Sequence, residues 1–126
     1  MSFTNFLETE ILDHVFAGAA YTAPSTLYLG LFTSAPGETG GGTELSGSAY
    51  VRKAIAFTTS GDTTSNNAAV EFPTATGSWG TVTHIGVFDA STSGNLMVYA
   101  TLTASKTVAS GDVFRVPSGD LDITLN

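Results

Sequence analysis

The apolar positions of this chain change their period once. Over residues 2–17, Phe3, Leu7, Ile11 and Val15 recur at every fourth position, and Leu12 and Phe16 widen the stripe. That spacing predicts one amphipathic helix. Asn5 followed by Glu8 has capping-box spacing, Glu8 and Glu10 lie early and His14 late as a helix dipole favours, and Gly18 supplies a stop. After Pro24 the period becomes two. Leu27, Leu29 and Leu31 alternate with Tyr28, Gly30 and Phe32, so this strand is apolar on both sides and is expected to be central.

Further strands follow at short intervals. One is expected over residues 49–57, with Val51, Ile55 and Phe57 on one face. Lys53 shares that parity, which calls for a bulge, an open edge or a snorkelling stem. Val70 and Phe72 mark a short strand ended by Pro73. Residues 81–88 and 96–103 form the arms of a hairpin around Ala90-Ser91-Thr92-Ser93-Gly94-Asn95. Lys106 to Val108 and Val113 to Val116 give two short pieces. Leu121, Ile123 and Leu125 then alternate with Asp120, Asp122 and Thr124, one face dry and one wet. Residues 34–47, which are Gly-rich, and 58–68, which are polar, are expected as loops that reach neighbours or solvent.

The sum is a mainly β chain: an antiparallel β-sandwich of about seven or eight short strands over residues 25–126, with one N-terminal helix, in a single domain spanning 1–126. The lack of βαβ alternation excludes a doubly wound parallel sheet. The helix has two possible uses. It covers an open end of the sandwich in its own subunit, the simpler arrangement, or it docks against a neighbour.

Composition narrows the trade of such a fold. Hydrophobic residues make up 42% of the chain, enough for a core, whereas only 12% are charged. A free monomer normally carries about twice that fraction on a mixed surface, so the low charge suits a subunit covered by copies of itself and by other proteins. The net charge is −7 with four Lys and Arg in all, and Arg52-Lys53 is the only adjacent basic pair. Phosphate backbones and anionic membrane surfaces need clustered cations, so neither nucleic acid nor membrane is an expected partner. No apolar run is long enough to span a bilayer. The first basic residue is Arg52, and Glu8, Glu10 and Asp13 interrupt the leading apolar stripe, so no secretory signal is read and synthesis in a cytoplasm is expected. Cysteine is absent, which excludes disulfides and thiolate metal sites.

The residues that carry chemistry do not converge. His14 and His84 lie in different elements and belong to no two-histidine ligand motif. Asp120 and Asp122 share a strand face and read as solvated. Asp89 and Asp62 each open an oxygen-rich loop, but both loops lack the glycine and terminal glutamate of a calcium-binding EF-hand, and Asx-turn capping explains them more simply. No serine sits in a nucleophile elbow, and Gly40-Gly41-Gly42 has no following Lys to make a phosphate cradle. No enzymatic activity, catalytic residue, metal or cofactor is therefore expected. Trp79 and Tyr50 lie near loops and, if exposed, would anchor a glycan or a protein; buried, Trp79 would plug the end of the core.

Several pieces, in order along nearly the whole chain, resemble a family of small bacteriophage virion proteins usually labelled tail-fibre or minor structural proteins. They are residues 6–14 (Phe6 to His14), 27–33 (Leu27 to Thr33), Gly42-Thr43-Glu44-Leu45-Ser46-Gly47, Tyr50-Val51-Arg52, 79–89 (Trp79 to Asp89), Gly94-Asn95-Leu96, and Ser105-Lys106-Thr107-Val108 with Gly111-Asp112. The resemblance implies a virion component assembled in the bacterial host cytoplasm, and it carries no catalytic or ligand residues. The expectation is then a non-enzymatic homo-oligomer on the particle, either a capsid decoration or head-spike base or a tail or baseplate fibre element. Phe3, Phe6, Ile11, Phe16, Tyr50 and Trp79 are its expected interface anchors. The alternative is a carbohydrate-binding host-adhesion module of a tail fibre, with a cleft lined by Trp79 or Tyr50.

Overall fold

The computed structural model describes residues 1–125; Asn126, the last residue of the expected span, lies outside the described residues. The chain is mainly antiparallel β with one helix, as the change of period predicts. A five-stranded sheet has the order β1 (Ser2–Phe3), β8 (Leu96–Val108), β7 (Gly80–Phe88), β2 (Leu27–Phe32), β3 (Lys53–Ile55). Two smaller sheets complete the β structure. One joins β10 (Asp122–Thr124), β5 (Thr63–Asn66) and β4 (Phe57–Ser60), and the other joins β6 (Val70–Glu71) and β9 (Arg115–Val116). Leu29 and Leu31 of β2, Ile85 and Val87 of β7 and Val98 of β8 meet Phe72, Phe114, Val116 and Leu121 in one buried cluster.

The β2–β7 pairing explains why β2 is apolar on both sides. Leu29 and Leu31 face the main core, whereas Phe32 joins Phe88 and Leu96 in a second cluster. Gly30 and Gly86, paired across the two strands, leave room for it. A Cβ on Gly86 would lie 2.5 Å from Leu96 Cδ1, and one on Gly30 would lie 2.8 Å from Phe88 Cε2.

Residues 33–45 cover this second cluster, where the sequence led us to expect a loop reaching away. Thr33 and Leu45 donate backbone hydrogen bonds to Thr43 and Leu31, Pro36 is buried, and Gly42 turns through a positive φ with a virtual Cβ 2.7 Å from the Ala35 carbonyl oxygen. The glycines thus permit a tight return of the chain onto its own sheet. Residues 58–68 also differ from expectation. They hold a hairpin, β4–β5, turned at Gly61-Asp62. Its residues are mostly Thr and Ser, so no apolar alternation marked it, but threonine is β-branched and suits strands. Thr59 and Thr64 pair across it at 3.0 Å, and Thr63 meets Thr124 of β10 at 3.0 Å.

The hairpin β7–β8 forms as predicted, and the interruption expected after residue 103 is a bulge rather than a strand end. Val82 pairs with Lys106 but His84 with Thr101, so three extra residues of β8 are accommodated there. Lys53 lies on β3, the open edge of the sheet, and Val51, expected on the inner face with Ile55, is exposed ahead of it. The backbone breaks the alternation there, with Ser48 and Ala49 both at positive φ.

The helix α1 (Asn5–Phe16) starts later than the 2–17 span the periodicity gives. Ser2 and Phe3 pair instead with Tyr99 and Val98 of β8. The cap is Thr4, not Asn5. Thr4 Oγ1 accepts from the Leu7 amide at 3.4 Å and donates to the Leu96 carbonyl at 2.7 Å, which ties the first turn to β8. Gly18, at φ 74, ends the helix, and Ala19 donates back to the Asp13 carbonyl.

Candidate interface

The geometry of α1 decides which apolar groups remain available to a neighbour. Residues spaced by four drift about 40° around a helix at each step, so Ile11 and Val15 turn progressively away from the side on which Leu7 sits. Leu7 packs against the main core and Ile11 is half-buried, but no residue of α1 is fully buried. Leu12, Val15 and Phe16 are 57%, 61% and 80% exposed. The helix covers the end of the sandwich with its first two turns only, so the expected intramolecular cover is half made. Its last turn stands free with three large hydrocarbon groups.

The anchors expected from the sequence therefore divide. Phe3 is half-buried on β1 and packs on the core, Phe6 and Ile11 are half-buried, and Phe16 projects. Trp79 belongs to the interior, and Tyr50, half-buried, packs against the core. Trp79 is 5% exposed, its indole Nε1 donates to the Ser48 carbonyl at 2.8 Å, and its ring meets Tyr50 edge-on with centroids 5.5 Å apart. Phe72 stacks on Tyr50 and meets Phe114 edge-on, so the four rings form one aromatic block. Trp79 is thus a plug of the core and presents no broad face to a sugar or a neighbour. The periodicity missed Leu12 and Val15 as surface groups, because it assigned them to the buried stripe.

A polar cluster that the sequence did not reveal fixes the surface beside these rings. Arg52 Nε and Nη2 donate to the two oxygens of Glu44, each at 2.8 Å. Its Nη1 donates to the carbonyls of Ala90 at 2.9 Å and Ser93 at 2.8 Å, and the guanidinium lies over the Phe88 ring. Tyr50 completes it, donating to Glu44 at 2.7 Å and accepting from the Leu31 amide at 3.0 Å. Burial and then the bond to Glu44 hold the Tyr50 hydroxyl far above the ordinary tyrosine range. Four of the five Arg52 N–H groups and the Tyr50 hydroxyl meet acceptors inside the protein, so the cluster locks residues 44–52 to the β7–β8 turn. In that turn Asp89 accepts from the Asn95 amide at 2.7 Å and the Asn95 side chain at 3.0 Å. An Asx turn would bond the amide two residues on; Asp89 instead closes the whole turn by holding Asn95, six residues on.

The other chemistry-bearing residues are dispersed. The Tyr21 amide donates to His14 Nδ1 at the end of α1, and His84 lies in β7 beside Thr83 at 2.8 Å. Asp122 accepts a short bond from the Ser65 hydroxyl. Among the described residues, no group of three or more His, Asp or Glu is placed to hold a metal, and no helix is long and apolar enough to cross a membrane.

A β-body with dispersed titratable groups and a bare apolar helix end has the build of a structural protein. The chain belongs to the family of the podophage GP4 fiber I protein gp80, whose match spans residues 2–124. No curated protein matches the chain. Membership agrees with the resemblance read from the sequence and gives the virion as the setting.

Proposed function

We propose that this protein is a non-enzymatic, homo-oligomeric subunit of the virion fibre apparatus, acting by packing against its own copies and adjoining virion proteins. The observation that carries the reading is the free end of α1. Burying a Leu, Val or Phe side chain is worth about 1.5–3 kcal/mol each, so three such groups left in water favour association strongly. The rest of the chain supports a rigid part rather than a catalyst: no group of three His, Asp or Glu among the described residues converges, and the arginine cluster directs its bonds into its own chain. Among the sites the resemblance allows, the family name favours a tail fibre element over a capsid decoration. The glycan-binding reading loses its proposed platform, because Trp79 lies inside and the Tyr50 hydroxyl is committed to Glu44 and Leu31.

Two measurements test the proposal together. Sedimentation of the purified chain is expected to show an oligomer whose population rises with concentration. Antibody or gold labelling of intact particles is expected to mark the fibres. A chain absent from purified particles, or one found inside the capsid with the genome, would sink the reading.

A further inference from the structure

The sandwich end next to α1 is open. Phe3, Leu7, Leu27, Phe57 and Ile123, all half-buried, ring a hollow of about 230 Å³ floored by buried Val87, Met97 and Val98. Among the described residues, Thr64 is its only lining residue with a polar side chain. A second hollow of about 190 Å³ shares Phe3, Thr64 and Ile123 and runs on to Leu125, itself 57% exposed. Thr59, Asp62 and Thr63 also line the second hollow, so the first is the apolar seat, and an apolar cavity of even about 150 Å³ accepts a benzene-sized guest. The same chain carries a loose phenyl ring of that size, Phe16, flanked by exposed Leu12 and Val15.

Phe16 cannot fill the mouth of its own subunit. Leu7 points into the mouth, and Phe16 follows it by nine residues on one continuous helix. Nine residues amount to about 13 Å along the axis and about half a turn around it, so the ring leaves the opposite side of the helix. We propose that the α1 end of one copy, led by Phe16, seats in the mouth formed by Phe3, Leu7, Leu27, Phe57 and Ile123 of a second copy. The contact rests on the homo-oligomer reading above and gives it surfaces. The knob of one copy and the mouth of the next are unlike surfaces, so the contact repeated from copy to copy joins head to tail and generates a closed ring or a filament. Like charge opposes it, since each copy carries −7, so added salt strengthens the association.

The chain has no native cysteine, which permits a clean test. Phe16→Cys and Thr64→Cys are made in separate copies of the full chain, mixed, and treated with a short bis-maleimide. Covalent pairs are expected in the mixture and not with either variant alone. In sedimentation, Phe16→Ser is expected to weaken association by about ten- to a hundredfold, with the unfolding temperature unchanged at dilutions where both proteins are monomeric, because the ring is 80% exposed on its own chain. Cross-linking of Phe16→Cys alone would mean that helices pack on helices, and would overturn the proposal. So would an oligomer indifferent to Phe16→Ser, which leaves the homo-oligomer reading standing, or a wild-type chain that stays monomeric at every concentration, which removes both. Particle labelling reports separately on the fibre assignment.

Discussion

The guanidinium carbon of Arg52 lies 3.4 Å from the centre of the Phe88 ring, while its edge makes two 2.8 Å bonds to Glu44. One side chain thereby joins three segments distant in sequence: the return of the 33–45 segment, the approach to β3, and the β7–β8 turn. Ser93, whose carbonyl Arg52 holds, sits at φ 53, a backbone state costly for a residue with a Cβ. The arginine stabilises that state from outside the turn.

Arg52→Ala is accordingly expected to destabilise the fold by about 3 kcal/mol, because it strands a partly buried carboxylate and frees the strained turn. Urea denaturation monitored by Trp79 fluorescence measures this. Arg52→Met with Glu44→Gln should recover part of the loss, since no charge is then left unpaired. A single variant within about 0.5 kcal/mol of wild type would show the cluster to be ornamental.

Asn66 is the most deeply buried amide, at 1% exposure, and its side chain is fully used. It donates to the carbonyls of Ala68 at 3.0 Å and Pro117 at 2.9 Å and accepts from the Leu121 amide at 2.9 Å. Removing it takes the acceptor from the Leu121 amide and a donor from the Ala68 carbonyl, leaves Pro117 only its 3.3 Å bond from the Asp120 amide, and opens a void. Asn66→Ala is expected to cost about 3 kcal/mol and to raise amide exchange at Leu121 first. Exchange that accelerates evenly over the whole chain would contradict this local role.

Gly86→Ala is expected to destabilise by about 1–3 kcal/mol through overpacking, because the new methyl meets Leu96, Phe32 and the Val98 carbonyl at once. Gly61→Ala clashes with nothing but is strained at φ 63, so its smaller loss arises from the backbone alone. Thermal unfolding of the two variants separates the mechanisms, and trimming Leu96 to Val should rescue only Gly86→Ala.

Alkali should unfold the protein through Tyr50. Its hydroxyl titrates far above the ordinary tyrosine value of 10.0 in the folded chain, so above about pH 10 the unfolded chain holds fewer protons than the folded one. Stability is therefore full below that pH and falls as pH rises past it. Tyr50→Phe should be less stable at neutral pH, having lost its bonds to Glu44 and Leu31, yet show a shallower alkaline decline. Equal slopes in the two proteins would assign the alkaline sensitivity elsewhere.

Much of this architecture was legible in the residues. The β7–β8 hairpin announces itself by alternation around Ser93-Gly94-Asn95, and the helix by its four-residue spacing. The β4–β5 hairpin was not legible, because Thr-Thr-Ser on both arms has no apolar rhythm; its strands are held by threonine pairs and by β10 at its flank. The arginine cluster was equally silent. A single Arg and a single Glu eight residues apart carry no spacing signal, and only the fold of the intervening chain brings them together.

The sequence by itself determined the β class, the helix, the turn of the β7–β8 hairpin, the sparse charge and the family to which the chain is similar. Those properties follow from local geometry, in which side-chain periods of two and about 3.6 are written directly into the order of residues. Only the tertiary structure decided which apolar groups stay outside. It buried Trp79 against Tyr50 and Phe72, drew the glycine-rich segment back over Phe32, and left Leu12, Val15 and Phe16 in water. Burial is a relation between distant parts of the chain, and a stripe along α1 has no means of stating where the sheet beneath it ends.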